Sequence, residues 1–304
     1  MNIGILTVRD RAYHPNRRLL ETAEGKGHRA FLIHPYRLWP VIAKQVLGVT
    51  RKASFTPPDV VLPRQGAEIG VSSRVLINQL DLMGIPLVNN PAAIRLTSNQ
   101  FLTLQALAAA GVPVPDTLFI NAGECLDLDA NSPIDYPVVV KQINGRQGSG
   151  VALAHSRTEL ERLVAAQLDR TRGLLLQRFI APDGRQDIRA LVIGGRVTAA
   201  MRLIPSPGEF RANFHLGARS RMHNLTDATA RVAAAAAAAT GLDIAGVDLI
   251  IEADGRIQVI EVNYAPGFRG LEAATGLDIA SAIIDHAVAV IRRTSTGTQR
   301  EFAE

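Results

Sequence analysis

Two β-rich runs, Ala245 to Glu252 and Arg256 to Asn263, flank the dipeptide Asp254-Gly255. Asp-Gly between such runs is the strongest short signal for a β-hairpin. With those two residues as the turn, Asp248 lies directly opposite Glu261. Asn263, two residues on, then points to the same face as Glu261. Directly opposed side chains have Cβ atoms about 4.5–5.5 Å apart, a separation at which like charges repel. Apolar neighbours on both strands bury the pair in part, which makes unpaired carboxylates costly. Three resolutions stand open: a cation between the acids, an acid protonated or paired to an arginine, or a different turn that shifts the register. Two carboxylates and an amide oxygen are the hard donors that Mg²⁺ uses together with waters and phosphates.

A second feature lies upstream. Val138-Val139-Val140-Lys141 reads as a strand ending in a lysine, and Asn144-Gly145-Arg146-Gln147-Gly148-Ser149-Gly150 follows as a glycine-bearing loop. Glycines let backbone N–H groups approach phosphate oxygens, and an ammonium nearby adds charge. No Gly-Lys-Ser/Thr closes the loop, so it is not a Walker motif. Alone, it also fits an ordinary hairpin loop.

The start of the chain alternates strand and helix. Asn2 to Val8 predicts a buried strand, Asn16 to Lys26 a helix stopped at Gly27, and Arg29 to His34 and Val60 to Pro63 two more strands. That spacing indicates an α/β unit on a parallel sheet. No G-x-G-x-x-G follows the first strand, so a dinucleotide fold has no fingerprint here. Further on, Ser98 to Ala110 predicts a helix, and Leu174 to Ile180 a strand. Ile188 to Ile193 and Arg196 to Leu203 flank a Gly194-Gly195 turn, and the alanine run Arg231 to Thr240 predicts a packed helix ending at Gly241. The expected division is residues 1–92, 93–174 and 175–304.

Composition narrows the function classes. The single cysteine, Cys125, excludes an intramolecular disulfide and a multi-cysteine zinc site, which fits a reducing, cytoplasmic setting. No apolar run of about 20 residues appears, so no membrane span is expected. The net charge of +5 comes from scattered arginines rather than a basic block, which argues against a nucleic-acid partner. Arginines also suit carboxylate and phosphate ligands. Arg64, Arg189 and Arg269 are candidate substrate-carboxylate clamps, and the scattered histidines read as structural.

Taken in order, Lys141 with its loop, Gln177-Arg178-Phe179-Ile180, Asp187-Ile188-Arg189, Phe210-Arg211-Ala212-Asn213, Gly246-Val247-Asp248 and Glu261-Val262-Asn263 form a distinctive series. The series resembles the ATP-grasp superfamily, and within it the RimK-type ligases that add glutamate or other amino acids to a carboxylate. The resemblance implies a parallel-sheet α/β domain followed by two α+β subdomains that hold ATP between them. It implies that Lys141 contacts the nucleotide and that the loop around Gly148 closes over its phosphates. Gln177, Arg178 and Phe179 would lie at the adenine and Asp187 near the ribose. Arg211 and Asn213 would reach the terminal phosphates, with Arg211 catalytic. Asp248, Glu261 and Asn263 match the family's positions for Mg²⁺ (or Mn²⁺), the set that the hairpin register also selects.

The implied chemistry passes through an acylphosphate that an amine then opens. Its partners are an amino-acid donor and a carboxylate acceptor on a small molecule, peptide or protein. A homo-oligomer, dimer or tetramer, is also implied. Two alternatives remain: a glutathione-synthase-like dipeptide ligase, and a non-catalytic ATP-binding homologue. The departures are Gln100 where the family carries a lysine, and Arg202-Leu203-Ile204 followed by Pro205-Ser206-Pro207 where ribosomal-protein-modifying members are charged. With Gly194-Gly195 as the turn, Arg202 is expected to pair across the strands with Asp187.

Overall fold

The computed structural model describes residues 1–50, 55–66, 69–123, 132–143, 150–206, 209–211 and 219–301, with side chains described as far as residue 293. The first unit comprises β1 (Asn2–Leu6), α1 (His14–Gly25), β2 (Arg29–Ile33), β3 (Trp39–Ala43), β4 (Val46–Thr50), β5 (Val60–Pro63) and α2 (Val71–Leu82). β1 is the centre of a parallel sheet in the order β2-β1-β5, as the alternation of strand and helix predicts. β3 and β4 form a separate antiparallel hairpin. The sequence reading passed over it, because Lys44-Gln45 holds two left-handed turn positions without a glycine or asparagine to mark them.

The helix expected over Ser98 to Ala110 is α4 (Gln100–Ala109), and a further short helix that was not expected, α3 (Pro91–Thr97), precedes it. Asn90 and Asn99 cap them, each side-chain oxygen accepting backbone N–H groups of its own first turn. There follow β6 (Thr117–Ile120), β7 (Val138–Gln142), β8 (Val151–Ala154), α5 (Arg157–Gln167) and β9 (Leu174–Arg178), with the strands in the order β6-β9-β7-β8. The division drawn at 174/175 falls inside β9, which pairs with both β6 and β7. Leu160 and Val164 of α5 pack on Val138, Val140, Leu174 and Leu176, so this sheet has a core of its own.

The remainder is β10 (Gln186–Ile193), β11 (Arg196–Ile204), β12 (Arg219–Met222), α6 (Asp227–Thr240), β13 (Ile244–Ile251), β14 (Ile257–Asn263), α7 (Arg269–Thr275) and α8 (Ile279–Glu301). Its sheet runs β12-β11-β10-β13-β14. One apolar cluster joins α2, α3, α4 and α6 to one face of this sheet; a second joins β1, β5, α1 and α8 to the other face. The first unit and the five-stranded sheet therefore share cores. In the alanine helix α6, Ala233, Ala236 and Ala237 are fully buried. Their small side chains bring its backbone close to the sheet and to α4. Thr226 caps its start and Gly241, in the left-handed region, ends it. Among the described residues no single helix is long and apolar enough to cross a membrane.

Candidate active site

The acidic hairpin is β13 and β14, but its turn is one residue longer than expected. Glu252 N–H donates to the Arg256 carbonyl at 2.8 Å, enclosing Ala253-Asp254-Gly255 with Gly255 left-handed. That turn sets Ile251 against Ile257 and Leu249 against Val259. A bulge at Ile260 then absorbs one residue, and Asp248 faces Glu261 after all. Asn263 stands opposite Gly246, where an added Cβ would come within 2.6 Å of Pro266. Asp248, Glu261 and Asn263 all line a cleft of about 920 Å³.

β10 lies on the other side of β13 and sets Arg189 opposite Asp248. Arg189 Nε and Nη2 donate to the two Asp248 oxygens at 2.6 Å each. The sequence reading had Arg189 clamping a substrate; here its fork is given to the neighbouring strand. The Asp248 charge holds the Arg189 guanidinium above its ordinary range. Burial first, and then the Asp248 charge, push the Glu261 carboxyl up, against the pull of Arg189, Lys141 and a hydrogen bond from the Asn263 amide. Among the described residues no group of three or more His, Cys, Asp or Glu stands ready for a metal. A divalent ion here would take two carboxylates and an amide, and complete its shell from waters and phosphates. That donor set suits magnesium.

The four-stranded sheet supplies the facing wall. Lys141 Nζ donates to Gln177 Oε1 at 2.6 Å, and Gln177 Nε2 donates to Thr117 Oγ1 at 2.9 Å. Burial lowers the Lys141 ammonium to about 8. Arg178 grips Glu252 through Nη2 at 2.6 Å and Nη1 at 3.1 Å, while Phe179 meets Phe210 edge to face at 6.0 Å. Arg211 holds Glu209 through Nε at 2.8 Å and Nη2 at 2.6 Å, which draws the Glu209 carboxyl down to about 2. All of these residues except Thr117, Glu209 and Glu252 line the cleft, as do Gln100, Arg64 and Asp187. Gly148 and Asn213 lie outside the described residues.

Arg185, which the sequence reading passed over, ties this wall together. It is buried and donates through Nη1 to the Ile180 carbonyl, through Nη2 to the Phe210 carbonyl, and through Nε to Asp187 at 3.0 Å. Burial raises the Asp187 carboxyl while Arg185 lowers it. The expected cross-strand pairing of Asp187 with Arg202 does not occur. A β-bulge in the β10–β11 ladder sets Asp187 opposite Leu203 and Arg202 opposite Ile188. A lone arginine in a loop carries no local pattern, so only its partners mark Arg185 out.

Residues 97–287 match the family model of the RimK-like ATP-grasp domain, and residues 1–94 that of the RimK PreATP-grasp domain. The chain belongs to the RimK-like ATP-grasp family. Among its relatives, a probable alpha-L-glutamate ligase of Aliivibrio fischeri is 36% identical over 303 residues, 97% of this chain and 99% of the relative. A probable alpha-L-glutamate ligase of Marinomonas sp. is 34% identical over 300 residues, 98% of this chain and 99% of the relative. A RimK domain protein ATP-grasp from Sphaerobacter thermophilus superposes with a TM-score of 0.73 at 26% identity, covering 94% of this chain and 99% of that one. The D-alanine–D-alanine ligase of Bacillus anthracis complexed with ATP shares the fold, with a TM-score of 0.70 at 18% identity over 98% and 99% of the two chains. This RimK-like protein is thus an ATP-dependent carboxylate–amine ligase, and the α/β and α+β architecture expected for an ATP-grasp fold is the one found.

Proposed function

We propose that the cleft adds an amino acid, glutamate foremost, to a carboxylate of a peptide, protein or small molecule through an acylphosphate. The observation that carries this reading is the opposed pair Asp248 and Glu261, with Asn263 beside it, on a cleft wall facing Lys141. In the first step an acceptor carboxylate oxygen bonds to the γ-phosphorus and the bond from phosphorus to the ADP oxygen breaks. In the second, the donor amine bonds to the acyl carbon, phosphate leaves, and the nitrogen gives up a proton. Neither step needs a protein nucleophile; positioning and charge neutralisation carry both.

The residues take roles accordingly. Lys141, steadied by Gln177, meets the nucleotide phosphates, with the loop around Gly148 closing over them. Gln177, Arg178 and Phe179 border the adenine, and Asp187, set by Arg185, reaches the ribose. Arg211 and Asn213 neutralise charge on the transferring phosphoryl group. Asp248, Glu261 and Asn263 would hold Mg²⁺, which would supply positive charge to offset that of the phosphates. Arg189 keeps Asp248 aimed along the wall, and Arg64 binds substrate.

The test is phosphate release from ATP and Mg²⁺ across a panel of amino acids and carboxylate acceptors, beside Asp248→Ala. Acceptor-dependent release with a matching mass gain, absent in the variant, supports the proposal. Release that persists in the variant, or failure to bind ATP at all, refutes it.

A further inference from the structure

The five-stranded sheet ends on β12, and no strand pairs with its outer edge among the described residues. The β11–β12 ladder sets Arg202 directly opposite Arg221, and Ile204 opposite Arg219. Side chains on a strand alternate between faces, so Arg202, Arg219 and Arg221 share one side of the sheet. All three are exposed. His223 continues that side, its N–H donating to the Ala200 carbonyl at 3.1 Å. Burial first, and then the Arg202 charge, lower its imidazole.

This side is not the cleft. Arg202 stands opposite Ile188, between Asp187 and Arg189, which line the cleft from the other face. Arg202, Arg219, Arg221 and His223 do not line it. Whereas Arg178, Arg185, Arg189 and Arg211 each grip a carboxylate of the protein, none of these three arginines has one at ion-pair distance among the described residues. Arg202 adds only a minor pull on Asp187.

Like charges directly opposite on neighbouring strands repel, at a Cβ separation of about 4.5–5.5 Å. Charge on an edge strand guards it against pairing with the wrong chain. That purpose accounts for β12 alone. Arg202 belongs to β11, which is paired on both sides and has no edge to guard. An anionic ligand relieves the opposition.

The chemistry favours carboxylates on an extended chain. Arg219 and Arg221 are two positions apart, about 6.6 Å along a strand, which is the spacing of alternate side chains on an added strand. Strand addition at a free edge supplies main-chain hydrogen bonds, and alternate side chains supply selectivity. A guanidinium fork takes a carboxylate with two hydrogen bonds. Single-stranded nucleic acid, by contrast, is bound where bases stack on aromatic rings beside basic groups. No aromatic residue occurs in β10, β11 or β12.

We propose that β12 takes up an extended acidic segment of a partner protein as a further strand, with carboxylates at alternate positions meeting Arg219 and Arg221 and with Arg202 reinforcing them. The contact recruits a partner behind the cleft and takes no part in the reaction.

Fluorescence anisotropy of the full chain tests it. The labelled probes are octapeptides of alternating glutamate and threonine, or of glutamine and threonine, blocked at both ends. A non-hydrolysable ATP analogue and Mg²⁺ are present throughout. The acidic peptide binds tighter than its amide counterpart by about tenfold or more, the weight of a charge-assisted hydrogen bond. Added salt narrows the difference. Arg219→Gln and Arg221→Gln each remove most of that preference and leave ATP affinity at the wild-type value. Arg221→Gln also withstands at least as much urea as wild type, because it removes a like-charge opposition. Equal binding of the two peptides, a preference that both variants leave intact, or tighter binding of an oligothymidylate of similar length would overturn the proposal. A fall in urea resistance of Arg221→Gln would give Arg221 an intramolecular role and overturn it as well.

Discussion

Arg189 and Asp248 stand directly opposite on adjacent antiparallel strands, and the guanidinium holds both carboxylate oxygens at 2.6 Å. This cross-strand pair balances a wall on which Asp248 also faces Glu261. Arg189→Ala leaves two carboxylates opposed without their cation. Metal-free stability should fall by about 2–4 kcal/mol, the partly exposed end of the cost of breaking a buried pair. Adding Mg²⁺ should recover part of that loss. Urea unfolding with and without magnesium measures both, and a loss that magnesium leaves untouched would count against the cation site.

Lys141 offers a pH-dependent test. Burial sets its ammonium at about 8 against an ordinary value of 10.5. Between these values the unfolded chain keeps a proton that the native protein has released, so native stability rises with pH across the window. Below it, the ligand-free protein carries a half-buried ammonium. Lys141→Met should therefore be more stable than wild type near neutrality, by about 1–2 kcal/mol. The gap should close as the pH climbs through the window, while ATP affinity is lost. Thermal melts across that range decide it; a gap that stays constant refutes the account.

The Lys141, Gln177 and Thr117 chain orients the ammonium. Gln177→Leu keeps the volume of a side chain that is 3% exposed but removes both bonds. ATP affinity should weaken about 3- to 10-fold, the weight of one or two net hydrogen bonds. Unchanged affinity by calorimetry would remove Gln177 from the nucleotide wall.

Arg185 joins two carbonyls and a carboxylate from separate segments. Arg185→Ala strands those acceptors and should cost about 3 kcal/mol in urea unfolding. Arg185→Lys should rescue only part of it, because an ammonium cannot reproduce the planar fork. Full rescue by lysine would show that charge alone matters there.

Several of these features are legible in the sequence alone. Asp254-Gly255 between two β-rich runs marks the hairpin, and Gly241 ends the alanine helix. The facing of Asp248 and Glu261 is instructive: a two-residue turn predicts it, yet the structure reaches it through a three-residue turn and a bulge at Ile260. In the neighbouring hairpin a single bulge had no such compensation, and the expected pairing of Asp187 with Arg202 was lost. Bulges answer to packing against adjacent strands, which a local pattern does not contain.

Residue type, order and strand period are properties of short stretches, so the sequence by itself determined that this chain carries an acidic hairpin, a lysine-ended strand and a parallel α/β start. Ion-pair partners are another matter. Arg178 meets Glu252 and Arg189 meets Asp248 across 74 and 59 residues. Arg64 reaches Pro266 across 202 and meets no carboxylate among the described residues. Local rules extend over a few positions, whereas a buried charge is satisfied by whatever the folded sheets bring beside it. Which arginines take a carboxylate of the protein, and that the buried Arg64 takes none among the described residues, was decided only when those sheets closed around a common cleft.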